Sequence, residues 1–347
     1  MWWIYPTYAI DLVAMVVLSF VLGNLVDALD KKTKISGAFI GGVLLAAVTS
    51  LPELFTALSS IFLVNEPEYV VGDLLGSIVF DLVCLALEIF LFVKNFRDAK
   101  IQKFHIVNAG ATLVMFGLAA YAFFAPKNAQ LMLGDINVIS IAIFALYILT
   151  LIFQPKESEP DDTEKEEIKM SLKKIIIFFI LSSIALIGTS VALTYLTKLI
   201  QNELPALSGS VAGALLLGIG TSVPEIISTA QLFKKKNYDA GIGNMIGSCT
   251  FDFAIFALAD FLTWHQYNNA IDSSTGEFII SQRGLYILST DSMQFELFGI
   301  GVCALVLVFL LAKCFWKAFD NKKWLAYTLT GIVAAGTLAM YLLIFIL

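Results

Sequence analysis

Thr49-Ser50-Leu51-Pro52-Glu53 recurs further along the chain as Thr221-Ser222-Val223-Pro224-Glu225. Each copy lies in an apolar run long enough to cross a membrane. Each places a proline and a carboxylate where a spanning helix tolerates them least. A second shared phrase follows: Gly76-Ser77-Ile78-Val79-Phe80-Asp81 in one copy, Gly247-Ser248-Cys249-Thr250-Phe251-Asp252 in the other. Glu53 to Asp81 is 28 positions and Glu225 to Asp252 is 27, so the copies keep register to within one residue. The chain reads as an internal duplication whose repeated part is polar at membrane depth.

Composition sets the environment. The 347 residues are 59% apolar and only 14% charged, with a mean hydropathy of +0.84. Soluble domains carry about a quarter charged residues, so an all-α polytopic membrane protein is expected, with the lipid bilayer as its surroundings. A net charge of −6 argues against nucleic acid. No protein partner and no cofactor are called for. Cys84, Cys249, Cys303 and Cys314 lack metal-ligand spacing and read as small core residues. The N-terminus has no basic region or cleavage motif, so its apolar run reads as a span.

With about 20 apolar residues per crossing, ten spans are predicted, near 8–28, 37–64, 69–93, 105–125, 131–154, 173–199, 207–233, 238–262, 292–314 and 323–346. All Lys and Arg except Lys127, Lys198 and Arg283 fall in alternate loops, which places both termini on the outer side of a cell membrane. Five spans per copy invert the second half relative to the first. The expected organisation is a first five-helix repeat over 1–154 (motif region 37–93), an acidic, solvated inner linker at 155–172, and an inverted repeat over 173–347 (motif region 207–262). Inverted repeats with broken helices meeting at the midplane mark secondary transporters. The polar outer loop at 263–291 receives no role.

Pro52 cannot bond the carbonyl of Val48, and Pro224 cannot bond that of Gly220. Such breaks are tolerated where they line a cavity or an ion path. Backbone oxygens around Ala46 to Thr49 and Gly218 to Thr221 are therefore expected beside the hydroxyls of Thr49, Ser50, Thr221 and Ser222. Ser77 shares a helix face with Asp81, and Ser248 with Asp252; Asp73 and Asn244 continue those faces one turn towards the surface. Glu53, Asp81, Glu225 and Asp252 are expected to converge at the midplane, an all-oxygen set of the kind that hard cations select. Four carboxylates there, at about 2.5–3.5 kcal/mol each, need a functional reason. Asp11 and Glu88 lack a counterpart, and Asp135 and Asp260 lie near span ends, so helix-pairing or interfacial roles are expected for them. His105 and His265, at span edges, have no nucleophile to serve.

At these residues the sequence resembles the calcium/cation antiporter superfamily, specifically its sodium/calcium exchanger branch. That family pairs Gly-Thr-Ser-x-Pro-Glu with Gly-Ser-Asn-x-Phe-Asn/Asp in two inverted five-helix halves. The resemblance implies that Glu53 and Glu225 bind Ca²⁺ and share Na⁺. It implies that Thr49, Ser50, Ser77, Thr221, Ser222 and Ser248, with the carbonyls of Ala46 and Gly218, complete flanking Na⁺ sites, and that Asp81 and Asp252 fill the central positions. Val48 departs from the expected glycine, and Ile78 and Cys249 from the expected asparagine. Asp81 and Asp252 are both acids where the branch often has one amide, which leaves H⁺ or K⁺ open as the coupling ion. The first and sixth spans are the expected sliding element. An enzyme is not expected: the paired Tyr-Asp and Gly-x-Gly-Asp pattern of intramembrane aspartyl proteases is absent. A channel is disfavoured because a highly charged midplane site binds too tightly to conduct.

Overall fold

The computed structural model describes residues 2–32, 48–125, 131–133, 136–153, 170–268, 284–288 and 292–344. Ten principal helices follow in order: α1 Ile4–Lys32, α2 Leu51–Phe62, α3 Pro67–Leu91, α4 Phe104–Phe124, α5 Val138–Ile152, α6 Leu172–Glu203, α7 Gly209–Lys234, α8 Tyr238–Asn268, α9 Ser292–Phe315 and α10 Lys323–Ile344. Among the described residues, all but α2 and α5 are long and apolar enough to cross a membrane; those two are shorter apolar helices. The protein is an integral, polytopic membrane protein.

The packing maps onto itself when each helix is exchanged for the one five places on. Helix α3 packs on α9 and α10, as α8 packs on α4 and α5. Helix α2 lies on α3 and α6, as α7 lies on α8 and α1, while α1–α6, α3–α8 and α4–α9 pair with their own counterparts. The tight turns agree. Asn65, between α2 and α3, and Lys236, between α7 and α8, are left-handed with φ of 54° and 64°. The amide of the next residue in each turn bonds a carbonyl near the preceding helix end, Glu66 to Ser60 and Asn237 to Leu232.

Burial differs widely from helix to helix. In α3 and α8, 72% of the most apolar window is buried, against 22% in α1 and 17% in α6. The motif-bearing helices therefore form the centre. Helices α1 and α6 stand at the edge, joined through Met15, Leu22, Leu186 and Leu193.

Several expectations change. The stretch opening the fifth span forms a two-stranded antiparallel hairpin, β1 Met132–Leu133 with β2 Ile136–Asn137, and Asn137 caps α5 by accepting from the Ile139 amide. The fifth helix is therefore shorter than the predicted 131–154. Helix α8 runs past residue 262 to Asn268, and a short helix, Leu285–Leu288, follows within the outer loop region. Ala46, Asp135 and most of the acidic linker lie outside the described residues.

The two helix interruptions also differ. In the first half the helix restarts at Leu51 with Pro52 in its first turn and Ser50 in a non-helical bridge conformation (φ −91°, ψ 13°). In the second half, α7 runs unbroken through Pro224, and the irregularity sits upstream as a π-helical turn over Gly213–Gly218. The irregularity meets the Gly218–Thr221 stretch, whose backbone oxygens are expected to be exposed, only at Gly218. A π turn widens the helix by one residue per bond, and here side chains take up the loosened carbonyls. Tyr8 donates to Leu216 O, Thr221 to Leu217 O at 3.2 Å, and Ser77 to Gly218 O at 3.0 Å.

Candidate functional site

Close approach of α3 and α7 builds one wall of the site. A Cβ on Gly72 would lie 1.8 Å from Ser210 O, one on Gly76 2.8 Å from Ala214 Cβ, and one on Gly213 2.4 Å from Tyr69 O. Only glycine lets the backbones meet there, as small residues do at helix crossings in lipid. The contact brings Ser77 of α3 against Thr221 and Ser222 of α7. Ser222 Oγ lies 3.0 Å from Ser77 Oγ, and Thr221 Oγ1 3.3 Å from it.

The opposite wall repeats the pattern. Ser50, at the head of α2, lies 2.7 Å from Ser248 Oγ on α8, and both contact Glu225 Oε1, at 3.3 and 3.4 Å. Thr49 lies beside the Glu225 carboxylate, and Ser222 beside that of Asp81. Each half therefore sets its Thr-Ser hydroxyls against the serine of the other half.

All four motif acids are buried: Glu53, Asp81 and Asp252 are 1% exposed and Glu225 is 0%. Glu53 Oε2, Asp81 Oδ1, Glu225 Oε2 and both oxygens of Asp252 have no hydrogen-bond partner. Buried carboxylate oxygens without donors are costly and call for a cation or a proton. Among the described residues, no three Asp, Glu, His or Cys side chains gather closely enough to share a metal ion. Instead the carboxylates are spread around the two hydroxyl pairs, with Glu53 in electrostatic range of Glu225 and Asp252. The donor set that fits a hard cation is mixed: carboxylate, hydroxyl and the Gly218 carbonyl.

One residue outside the motifs belongs to this cluster. Asp73, 0% exposed, accepts from Thr56 Oγ1 and from Thr221 Oγ1, the latter at 3.3 Å. Its place one turn before Ser77 is visible in sequence, but contact with Thr56 and Thr221 depends on three helices meeting. The counterpart, Asn244, donates its amide to Ser228 Oγ at 3.0 Å and Thr229 Oγ1 at 3.2 Å.

Asp260 and His105 have structural partners. Asp260 accepts from Ser140 Oγ at 2.7 Å and the Leu285 amide at 2.9 Å, pinning the short Leu285–Leu288 helix to α5 and α8. His105 Nε2 lies 3.0 Å from Asp239 Oδ1, which also accepts from the Gln102 amide. Glu88 is buried near the end of α3.

Known proteins share this fold. CaxA of Alkalimonas amylolytica, assigned as an antiporter, is 22% identical over 232 residues, 65% of this chain and 70% of CaxA. A crystal structure of the H⁺/Ca²⁺ exchanger CAX superposes with a TM-score of 0.65 at 13% identity, covering 98% of this chain and 87% of that one. The sodium-calcium exchanger NCX_Mj superposes with a TM-score of 0.55 at 18% identity, covering 96% and 99%. The family profile described as sodium/calcium exchanger protein matches residues 6–155 and 174–347, and the chain belongs to that family.

Proposed function

We propose that this protein is a secondary active antiporter that exchanges Ca²⁺ for Na⁺ by alternating access, with the divalent ion taking no more than two of the carboxylates of Glu53, Asp81, Glu225 and Asp252 at a time and its remaining oxygens from the hydroxyls between them. Five carboxylate oxygens of those acids, buried and without donors, carry this reading. Thr49, Ser50, Ser77, Thr221, Ser222, Ser248 and the carbonyls of Ala46 and Gly218 would supply neutral oxygens for the monovalent ions. Because Glu225 already shares its oxygen with two serines, occupancy by one cation alters the ligands left for the other. The edge pair α1 and α6, packed together, is suited to slide past the central helices as one piece. The two motif-bearing halves, over 1–154 and 173–347, would act as inverted repeats around the site, with the 155–172 linker on the inner side. Both termini would lie outside a cell membrane.

The energetics are sufficient. At the family's exchange of about three Na⁺ per Ca²⁺, each tenfold Na⁺ gradient contributes about 1.4 kcal/mol per ion. One net charge adds about 2.3 kcal/mol per 100 mV. A total near 6.5 kcal/mol sustains a Ca²⁺ gradient of roughly 10⁴ to 10⁵.

Proton coupling is the second reading, favoured by Asp73, which adds a buried carboxylate to the four motif acids. The test is ⁴⁵Ca²⁺ uptake into proteoliposomes under an outward Na⁺ gradient and, separately, under a pH gradient in Na⁺-free buffer. Uptake under neither would refute antiport.

A further inference from the structure

The connections α3–α4 and α9–α10 meet at one end of the bundle and form a single surface. Lys313 Nζ donates to Arg97 O and to Asp320 Oδ1, both at 2.8 Å, and Cys314 Sγ donates to Ile101 O at 3.7 Å. Beneath them the rings of Phe96, Phe309 and Phe319 touch in turn, with centroids 6.1 and 5.7 Å apart. Phe96 and Phe319 are fully buried. This aromatic floor fixes the two connections against each other, so their outward face is formed before any ligand arrives.

The charges on that face do not balance. Lys94, Lys100, Lys103, Lys317, Lys322 and Lys323 are all exposed, and among the described residues none has a carboxylate at ion-pairing distance. The carboxylates at hand are already engaged. Asp98 is held by Arg97 at 3.0 Å, Asp320 by Lys313 at 2.8 Å, and Asp239 by His105 and the Gln102 amide.

Aromatic side chains rim the same face. Trp316 is 47% exposed and Trp324 66%, Phe315 and Tyr327 are exposed beside them, and Lys103 Nζ stands 5.0 Å from the centre of the Phe315 ring. Trp316 and Trp324 flank the short helix Lys317–Asn321, which places both next to Lys317, Lys322 and Lys323. Tryptophan and tyrosine favour the headgroup layer of a bilayer, and lysines gathered there attract its anionic lipids. An anion free in water would gain nothing from the aromatic rim. The turn at Lys234, Lys235 and Lys236 is also basic, but its flanking rings, Phe233 and Tyr238, are buried.

We propose that this surface binds the headgroup of an anionic phospholipid, with Lys317, Lys322 and Lys323 meeting the phosphate and Trp316 and Trp324 seated in the headgroup layer beside it. The inference stands apart from what the protein transports.

The test reads lipid contact by fluorescence quenching. In the full-length protein carrying Trp2→Phe, Trp3→Phe and Trp264→Phe, Trp316 and Trp324 remain as reporters. It is reconstituted into phosphatidylcholine vesicles in which a minor share of the lipid is brominated phosphatidylglycerol or, in parallel, brominated phosphatidylcholine. Phosphatidylglycerol is expected to quench about two- to fivefold more effectively, the range one lysine at an anionic surface supports. Substituting Lys317→Gln, Lys322→Gln and Lys323→Gln together should make the two lipids equal. Substituting Lys234→Gln, Lys235→Gln and Lys236→Gln together, which removes the same charge elsewhere, should leave the preference intact. Should the first set fail to fold, about 0.5 M KCl must erase the preference in the unsubstituted lysine background by screening. Equal quenching by both lipids would overturn the proposal, as would a preference that survives loss of Lys317, Lys322 and Lys323 or high salt. Equal loss in the Lys234–Lys236 set would also overturn it, by showing a response to net charge alone. Inorganic phosphate at constant ionic strength should leave the preference in place; its abolition would mark a seat for a free anion and overturn the lipid assignment.

Discussion

Ser50 of the first half and Ser248 of the second lie with their hydroxyls 2.7 Å apart, and both reach the same carboxylate oxygen of Glu225. The pair is matched across the molecule by Ser222 and Ser77 at 3.0 Å. Each half therefore completes the other's site. Ser50→Ala and Ser248→Ala should each weaken apparent cation affinity about three- to tenfold, the range of one hydrogen bond. The double variant should lose less than the product, because both serve one oxygen. Transport titrations of a double-mutant cycle measure this; strict additivity would show that the serines act separately.

The acids divide into two groups by partner. Glu53→Gln and Glu225→Gln remove charge from the hydroxyl-lined centre and should reduce Ca²⁺ transport more than a hundredfold, of the order that loss of a buried charged ligand produces. Glu88→Gln, outside both hydroxyl pairs, should retain most of it. Initial uptake rates at saturating Ca²⁺ decide the comparison, and equal losses would erase the distinction.

Glycine requirements follow from the α3–α7 crossing. Gly72→Ala would drive a methyl carbon to 1.8 Å from Ser210 O, whereas a Cβ on Gly110 meets nothing within 4 Å. Overpacking of this kind costs about 1–3 kcal/mol or more. Gly72→Ala should lower the melting temperature in detergent by several degrees, and Gly110→Ala should leave it unchanged or raise it, since alanine favours helix.

Much of this was legible before any coordinates. Two Pro-Glu phrases with register-matched partners announced a duplication, and an odd number of spans per copy inverted it. Helices α3 and α8 came out most buried because their polar stripes cannot face lipid. What failed was local backbone form. Nothing in Gly213-Ala-Leu-Leu-Leu-Gly218 distinguishes a π turn from a regular one, since the carbonyls it loosens are satisfied by Tyr8 and Ser77 from other helices. Asp73 was visible on the right face, yet its place in the site depends on Thr56 and Thr221, 17 and 148 positions away. The hairpin at 132–137 hid because apolar residues with strand geometry read as the start of a span.

Orientation has its own test. In a background lacking the four native cysteines, Lys235→Cys should react with an impermeant maleimide only after the membrane is opened, and Lys198→Cys in intact cells. The reverse pattern would turn the molecule over.

The most direct measurement of the central claim is ⁴⁵Ca²⁺ uptake into Na⁺-loaded proteoliposomes diluted into Na⁺-free medium, wild type beside Asp81→Asn. Ca²⁺ is expected to accumulate under an outward monovalent gradient and to stop when that gradient collapses, with the pH or ion dependence altered in Asp81→Asn. Ca²⁺ entry that ignores every Na⁺, K⁺ and proton gradient, or no entry at all, would contradict it.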